Sequence, residues 1–241
     1  AASDVYKRQD LVSSVAHDLR TPLTSIIGYL GWVRTRTDLD EETRNHYIDI
    51  AYQKALRLEQ LTNELFGFVK LEHKEMQLHL GKLDLVQLME QMLDEMTPSF
   101  VKNELQVEFL HAEHAIFLEA DGELLARLFG NLLNNAVKYG KEGKQVRVSM
   151  EKEGEYVVTR VINYGRIIPK QELDHIFQKF YRTEQSRSRD TGGTGLGLAI
   201  VQQIAELHHG QVRVKSDLQG TVFEVELPVG MPKGKKEDEK R

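Results

Sequence analysis

The chain has 241 residues, 40% of them hydrophobic, with a net charge of −5 and no cysteine. That length and apolar content can bury the cores of two ordinary domains. The acidic balance, without any long lysine or arginine block, argues against nucleic-acid binding, and the absence of cysteine excludes disulfides, thiolate metal sites and cysteine nucleophiles, in keeping with a reducing compartment.

Residues 1–10, AASDVYKRQD, carry neither an initiating Met nor an apolar targeting core and read as a truncated upstream linker. From Leu11, the apolar residues Val15, Leu19, Leu23, Ile26, Leu30 and Val33 recur at helical spacing and predict one long helix with a buried stripe. Its most apolar part, residues 23–33, is interrupted by Thr24 and Ser25 and falls short of the ~20 residues that a membrane span needs. A second stripe runs through Tyr47, Ala51, Ala55, Leu58, Leu61, Leu65 and Phe68, with Asp40 placed to cap it and acids in its first turn. Residues 11–76 thus read as a helical hairpin. Stripes of this coiled-coil-like spacing are best buried by pairing two hairpins, which predicts a homodimer.

Within the first helix the run VSSVAHDLRTPL sets His17 and Asp18 beside Arg20, Thr21 and Pro22. His17 lies two residues from both Val15 and Leu19 of the stripe, which turns it toward solvent. An imidazole can attack phosphorus through one ring nitrogen while an acid such as Asp18 holds the other. Thr21, four residues on, is placed to orient a water for the reverse hydrolysis. Pro22 removes the bond from its own amide to the Asp18 carbonyl and is expected to loosen the helix there.

Gly81 breaks the pattern, and Asp84 can cap a new helix that begins LVQLMEQML, so a second unit is placed at 82–230. Strand candidates LQVEFL and AIFLEA lead to a helix over about residues 121–138, then a hairpin turning at Gly154. A helix after Pro169, a Gly/Ser/Arg/Thr-rich stretch, a helix to about residue 208 and a last hairpin complete an α+β sandwich with antiparallel strands and helices on one face. Residues 231–241 end, after Pro232, in the mixed-charge run KGKKEDEKR without an apolar residue, and are expected to be a disordered tail.

Asn131, Asn135 and Lys138 share one face of the helix over 121–138, with Leu125, Leu128, Leu132 and Ala136 packed behind it. Two amides and an ammonium suit a polyphosphate with a hard cation, because an asparagine oxygen is an acceptable Mg²⁺ ligand. The run GGTGLGL is neither a P-loop nor a dinucleotide fingerprint. Its glycines, Gly192, Gly193, Gly195 and Gly197, stand at the mouth of a helix, where free amides favour an anion. Arg182, Arg187 and Arg189 precede it, giving the expectation of a lid over phosphates. Phe177, Phe180 and Tyr181 read as core packing, while Asn163 and Gly165 close a strand within reach of a base edge. No histidine pair has metal-ligand spacing.

SVAHDLRTPL, LLNNAVKYG, FQKFYR and GGTGLGLAIV stand in the order and spacing of four boxes of the bacterial sensor histidine kinases, and the chain resembles their transmitter region over about residues 8–229. The resemblance implies an α-helical hairpin dimerising into a four-helix bundle, followed by an α+β sandwich ATP-binding domain of the histidine kinase, gyrase and chaperone type. It implies that His17 is phosphorylated from MgATP, with Asp18 as acid/base partner, Arg20 beside them, and Thr21 used in removing phosphate from a response regulator's receiver domain. It also implies that Asn135 binds Mg²⁺, that Asn131 and Lys138 contact phosphates, and that Tyr139 lies near the adenine. Further nucleotide-binding positions that the resemblance implies are Asn163, Gly165, Gly193, Gly195, Leu196, Gly197 and Thr221. On this reading the chain is the cytoplasmic portion of a protein anchored in the plasma membrane only through an upstream sensor region.

The first glycine box departs from the family pattern. Asn163 replaces the aspartate that reads the adenine amino group, and Ile167 replaces the second glycine. An amide oxygen can accept that hydrogen bond, more weakly than a carboxylate. Together with AHDLRTPLTSIIGYL, the asparagine resembles the vancomycin-resistance sensor kinases. Two rival readings remain open from sequence: an ATPase of the related fold class with water as acceptor, and a noncatalytic or phosphatase-biased dimeric scaffold.

Overall fold

The computed structural model describes residues 2–72, 78–183 and 195–230. The first two helices, α1 (Ala2–Thr35) and α2 (Glu41–Glu72), form an antiparallel hairpin. Asp40 caps α2, its Oδ1 accepting from the Thr43 amide at 2.8 Å and its Oδ2 from the Thr43 hydroxyl at 2.8 Å. α1 continues through Pro22 to Thr35, without the bond that the proline nitrogen cannot donate.

Aromatic contacts fix the register of the hairpin. Tyr29 stacks on Tyr47 with ring centroids 5.8 Å apart, and Trp32 meets the same ring edge-on at 5.7 Å. Counting equally down both helices from these contacts sets the backbone of His17 level with residues 59–62 of α2. At His17 the backbone alone is described, so the expected solvent-facing side chain lies outside the described structure. The apolar stripe of α1 is only partly covered by the hairpin: Leu19, Ile26 and Val33 are half-buried, but Leu23 is 45% exposed and Leu30 47%, and beside the stripes Ile27, Trp32, Ile48, Tyr52 and Leu56 are also exposed. Two helices have too little facing surface to enclose both stripes, and this leaves an apolar face open.

The second unit begins with β1 (Gly81–Asp84) and α3 (Leu85–Lys102), followed by β2 (Gln106–His111), β3 (Phe117–Ala120), α4 (Gly122–Tyr139), β4 (Gln145–Glu153) and β5 (Tyr156–Asn163). The short α5 (Lys170–Leu173), then α6 (Gly197–Leu207), β6 (Gln211–Asp217) and β7 (Gly220–Pro228) follow. Asp84 caps α3 as its sequence position implies, accepting from the amide of Val86 at 3.1 Å. The main sheet has the order β2, β4, β5, β7, β6, and β1 pairs separately with β3. Both expected hairpins form, β4 with β5 across Gly154 and β6 with β7. The β2 and β4 pair is parallel, unlike the antiparallel expectation; the connection through β3 and α4 is long enough for the crossover that parallel pairing requires.

Period-two burial along β4 turns Val146, Val148 and Met150 toward α3, α4 and α6, where Met89, Leu128, Leu132, Ile200 and Ile204 complete the core. The opposite face carries cross-strand ion pairs, among them Arg160 with Glu224 at 2.8 Å and Arg147 with Glu108 at 2.7 Å. The end of the hairpin enters this same core: Phe68 and Leu71 of α2 are buried in it. No helix among the described residues is long and apolar enough to cross a membrane.

One polar node lies inside. The Asp121 amide donates to His208 Nε2 at 3.1 Å, and His208 Nδ1 lies 2.8 Å from the Ile204 carbonyl, which fixes the neutral tautomer with its proton on Nδ1. Burial pushes the His208 pKa below 6.5; the Ile204 bond and the Asp121 charge oppose that shift and the neighbouring His209 adds to it. His79, with Nδ1 3.8 Å from Asp121 Oδ2, is the other titratable group at the node. A depressed histidine pKa means that the unfolded chain takes up the proton more readily. The stability His208 contributes is then present above pH 6.5 and declines as pH falls below it. His208→Gln is expected to cost about 1–3 kcal/mol at neutral pH and to flatten the fall in unfolding midpoint between about pH 7.5 and 5.5. Thermal unfolding at both pH values checks this, and an unchanged pH slope in the variant counts against the role given to His208.

Candidate active site

The α4 helix begins at Asp121, whose Oδ1 accepts from the Leu124 amide at 3.2 Å. From that fixed start, Leu125, Leu128, Leu132 and Ala136 are buried, while Asn131, Asn134, Asn135 and Lys138 fall on the face toward a cavity of about 530 Å³. This volume lies in the range of small-molecule sites. Asn131 is held by its own helix, its Nδ2 donating to the Arg127 carbonyl at 3.0 Å. The Lys138 ammonium sits 4.8 Å from the centre of the Tyr139 ring.

The sheet supplies the floor. Asn163 at the end of β5 is the cross-strand partner of Thr221 at the start of β7, and both are buried and line the cavity. Thr221 Oγ1 lies 2.7 Å from Ser216 Oγ, which accepts from the Ile168 amide at 2.9 Å. That chain pins the segment carrying Ile167, Ile168 and Pro169 over the cavity. Gly165 is required by close approach: a Cβ there would overlap the Tyr139 carbonyl oxygen. Ile167, where the family has its second glycine, is 43% exposed and lines the cavity wall.

The third side is the start of α6. A Cβ on Gly197 would stand 3.3 Å from Asn131 Oδ1, so this glycine lets α6 abut the amide face of α4. Gly195 has φ +72°, and its carbonyl accepts from the Phe180 amide at 3.0 Å. This joins the FQKFYR segment to the glycine-rich run. Phe177 packs edge-on against Phe223, in keeping with the core role read for these aromatics.

The fourth side was not read from the sequence. Arg57, Gln60 and Glu64 of α2 line the cavity. At this hairpin contact the Arg127 guanidinium donates to the Glu64 carbonyl at 3.4 Å and lies where a Cβ on Gly67 would be. Lys179 stands 4.8 Å over the Phe68 ring. Burial lowers the Arg127 pKa against the opposing charge of Glu64. Polar residues three and four apart on a helix look like any solvated face, so periodicity carried no signal for them.

Of the expected site residues, Asn131, Asn135, Lys138, Tyr139, Asn163, Gly195, Gly197 and Thr221 line this one cavity. Gly165 shapes its edge, and Leu196 is buried rather than lining it. Gly193, with Gly192, Arg187 and Arg189, lies outside the described residues. His17, Asp18, Arg20 and Thr21 sit on α1 and are not among the lining residues. The Thr21 carbonyl accepts from the Ser25 hydroxyl at 3.1 Å. The described lining carries five cations, Arg57, Lys138, Lys141, Arg166 and Arg182, against the carboxylates of Glu64, Glu142 and Glu172. An anion is the matching ligand. Among the described residues no group of three His, Asp or Glu could hold a metal ion. The donor set therefore fits a cation that takes one amide oxygen, from Asn135, and completes its shell with phosphate and water.

Residues 7–74 match the family described as the His Kinase A (phospho-acceptor) domain, and residues 120–231 match the histidine kinase-, DNA gyrase B-, and HSP90-like ATPase family. The chain belongs to the sensor histidine kinases. It is 38% identical over 222 residues to the sensor protein VanS of Enterococcus faecium, covering 92% of this chain and 57% of that protein. To the sensor histidine kinase WalK of Bacillus subtilis it is 30% identical over 229 residues, covering 92% of this chain and 37% of that protein. The crystal structure of the histidine kinase ThkA in complex with the response regulator protein TrrA superposes with a TM-score of 0.76 at 25% identity, covering 95% of this chain and 64% of that one. The chain thus spans between about a third and three fifths of these curated relatives.

The overlap at Gly165 gives a test of the cavity's construction. Gly165→Ala is expected to cost about 1–3 kcal/mol of stability, as overpacked sites do, and to weaken nucleotide binding by displacing Tyr139. Thermal unfolding and a nucleotide titration of the same variant check the two effects; a variant matching the parent in both would show that Tyr139 gives way without consequence.

Proposed function

We propose that this chain autophosphorylates His17 from MgATP, passes the phosphoryl group to an aspartate of a response regulator, and removes it from that regulator as well. The observation that carries the reading is the cavity: an amide and ammonium face on α4, a glycine-bearing helix start on α6, and a wall on α2 at the axial level of His17. In the step, a nitrogen of the His17 imidazole attacks the γ-phosphorus, the bond from that phosphorus to the bridging oxygen of ADP breaks, and Asp18 holds the proton on the other ring nitrogen. Asn131 and Lys138 orient the phosphates, and Asn163 with Thr221 receives the adenine. Asn135 would hold Mg²⁺ through its amide oxygen, and the ion would supply positive charge against the phosphate oxygens. Most of the acceleration comes from positioning and fixed charge, as in other phosphoryl transfers. Thr21 orients the water for the reverse, phosphatase step.

The exposed apolar face of the hairpin, with Leu23, Ile27, Leu30 and Trp32, supports assembly of residues 11–76 with a second copy into a four-helix bundle. The ATP-binding unit is then 82–230. The complex of ThkA with TrrA supports a receiver domain as the protein partner. The chain acts on the cytoplasmic side, where ATP and receivers are found, and membrane attachment belongs to an upstream sensor region.

Incubation with γ-labelled ATP and Mg²⁺ is expected to give acid-labile, alkali-stable label on the parent and none on His17→Gln. ATP hydrolysis at equal rates in both proteins, without labelled protein, would favour the water-accepting ATPase. The uncharged Asn163 gives the scaffold reading its one specific support. Asn163→Asp restores a carboxylate acceptor for the adenine amino group and is expected to tighten ATP binding about tenfold. An equilibrium titration checks it; unchanged or weaker binding would mean that residue 163 does not read the base.

A further inference from the structure

The α2 wall holds a cation that no motif assigns. Arg57, Gln60 and Glu64 form a relay along one helix face: Arg57 Nη1 donates to Gln60 Oε1 at 2.8 Å, and Gln60 Nε2 donates to Glu64 Oε1 at 2.9 Å. The amide of Gln60 is thereby fixed with its oxygen toward Arg57, and the guanidinium is held at the cavity without a carboxylate in that bond. Two of the other lining cations, Arg166 and Lys138, are attached elsewhere. Arg166 is paired with Glu142 at 2.8 Å, and Lys138 lies over the Tyr139 ring. Arg57 also has the right height. His17 is level with residues 59–62 of α2, so Arg57 stands within about a turn and a half of the phosphoacceptor's level.

Resting on the kinase reading, we propose that Arg57 contacts the γ-phosphate of ATP as that group leaves the α4 side of the cavity for His17. Asn131, Asn135 and Lys138 hold the polyphosphate from one side, while the terminal phosphate faces α2, where a rigid fork of donors matches its oxygens. A guanidinium there also meets the charge that gathers on the transferring group. The hairpin then contributes to nucleotide selection as well as the acceptor. ADP, which lacks the γ-phosphate, loses nothing when Arg57 is removed.

The test uses the whole chain as parent, Arg57→Ala and Arg57→Lys, with Mg²⁺, measuring equilibrium binding of ADP and of a non-hydrolysable ATP analogue, and the initial rate of His17 labelling. Arg57→Ala is expected to weaken the analogue about tenfold or more while ADP affinity stays within about twofold, and to slow labelling by a similar factor. Arg57→Lys should recover part of the analogue's affinity, since charge returns without the fork. Equal loss for both nucleotides, or no loss for either, overturns the proposal. A parent that binds the analogue but labels nothing defeats the kinase reading, and the ratio of analogue to ADP affinity still decides Arg57. A parent that binds neither nucleotide overturns both.

Discussion

Asp121 accepts from the amides of Leu124 and His79 through its two carboxylate oxygens, while its own amide donates to the buried ring of His208. Three separate pieces of chain meet at this node: the start of α4, the segment that returns from the hairpin, and the end of α6. The cavity-facing residues of α4 all project from a helix whose first turn is fixed here, and Gly197 of α6 can abut Asn131 only if both helices keep their relative position. Because the node is buried, loss of one partner would leave amide hydrogens without water to replace it. The geometry of the cavity therefore depends on polar groups remote from any ligand.

A second constraint joins the hairpin to the ATP-binding unit. Phe68 and Leu71 are as deeply buried as residues of the sheet, and Lys179 covers the Phe68 ring, so the last turns of α2 share a core with α4 and α6. Arg127 occupies the volume above Gly67 that a side chain would fill. The two units in this arrangement are joined through packed surface, and a shift of α2 must either carry the cavity wall with it or break this contact. Packed cores move between discrete arrangements instead of deforming smoothly.

Local features were legible in the sequence. Asp40 and Asp84 each cap the helix their position implied, because a cap is decided within four residues. The amide face of α4 followed from helical spacing, and the box order pointed to the cavity that Asn131, Asn163 and Gly197 share. The parallel pairing of β2 with β4 was missed because it depends on a partner more than thirty residues away. Strand β1, four residues reading GKLD, has too few alternations to declare a period. Arg57, Gln60 and Glu64 were invisible for a different reason: what turns a solvated helix face into a cavity wall is the unit docked on it. The hairpin stripe was read correctly as apolar, yet Leu23 and Leu30 stay exposed in one chain, since burial there requires a surface that the chain itself does not supply.

The α2 wall also bears on the choice of acceptor. An ATPase that uses water has to admit and orient one small molecule, which the α4 face and the glycine-rich run could do within a single domain. Such a mechanism gives no reason for a helix from another unit to close the cavity. Transfer to a side chain sets a different requirement: acceptor and nucleotide sit on separate elements, and their separation must be fixed closely, because misplacement of about 1 Å can cost a hundredfold in rate. A wall on α2 at the level of His17, tied to α4 through Arg127 and to the core through Phe68, supplies that fixed reference. The placement of this one helix face thus weighs toward a protein side chain, and against water, as the group that receives the phosphate.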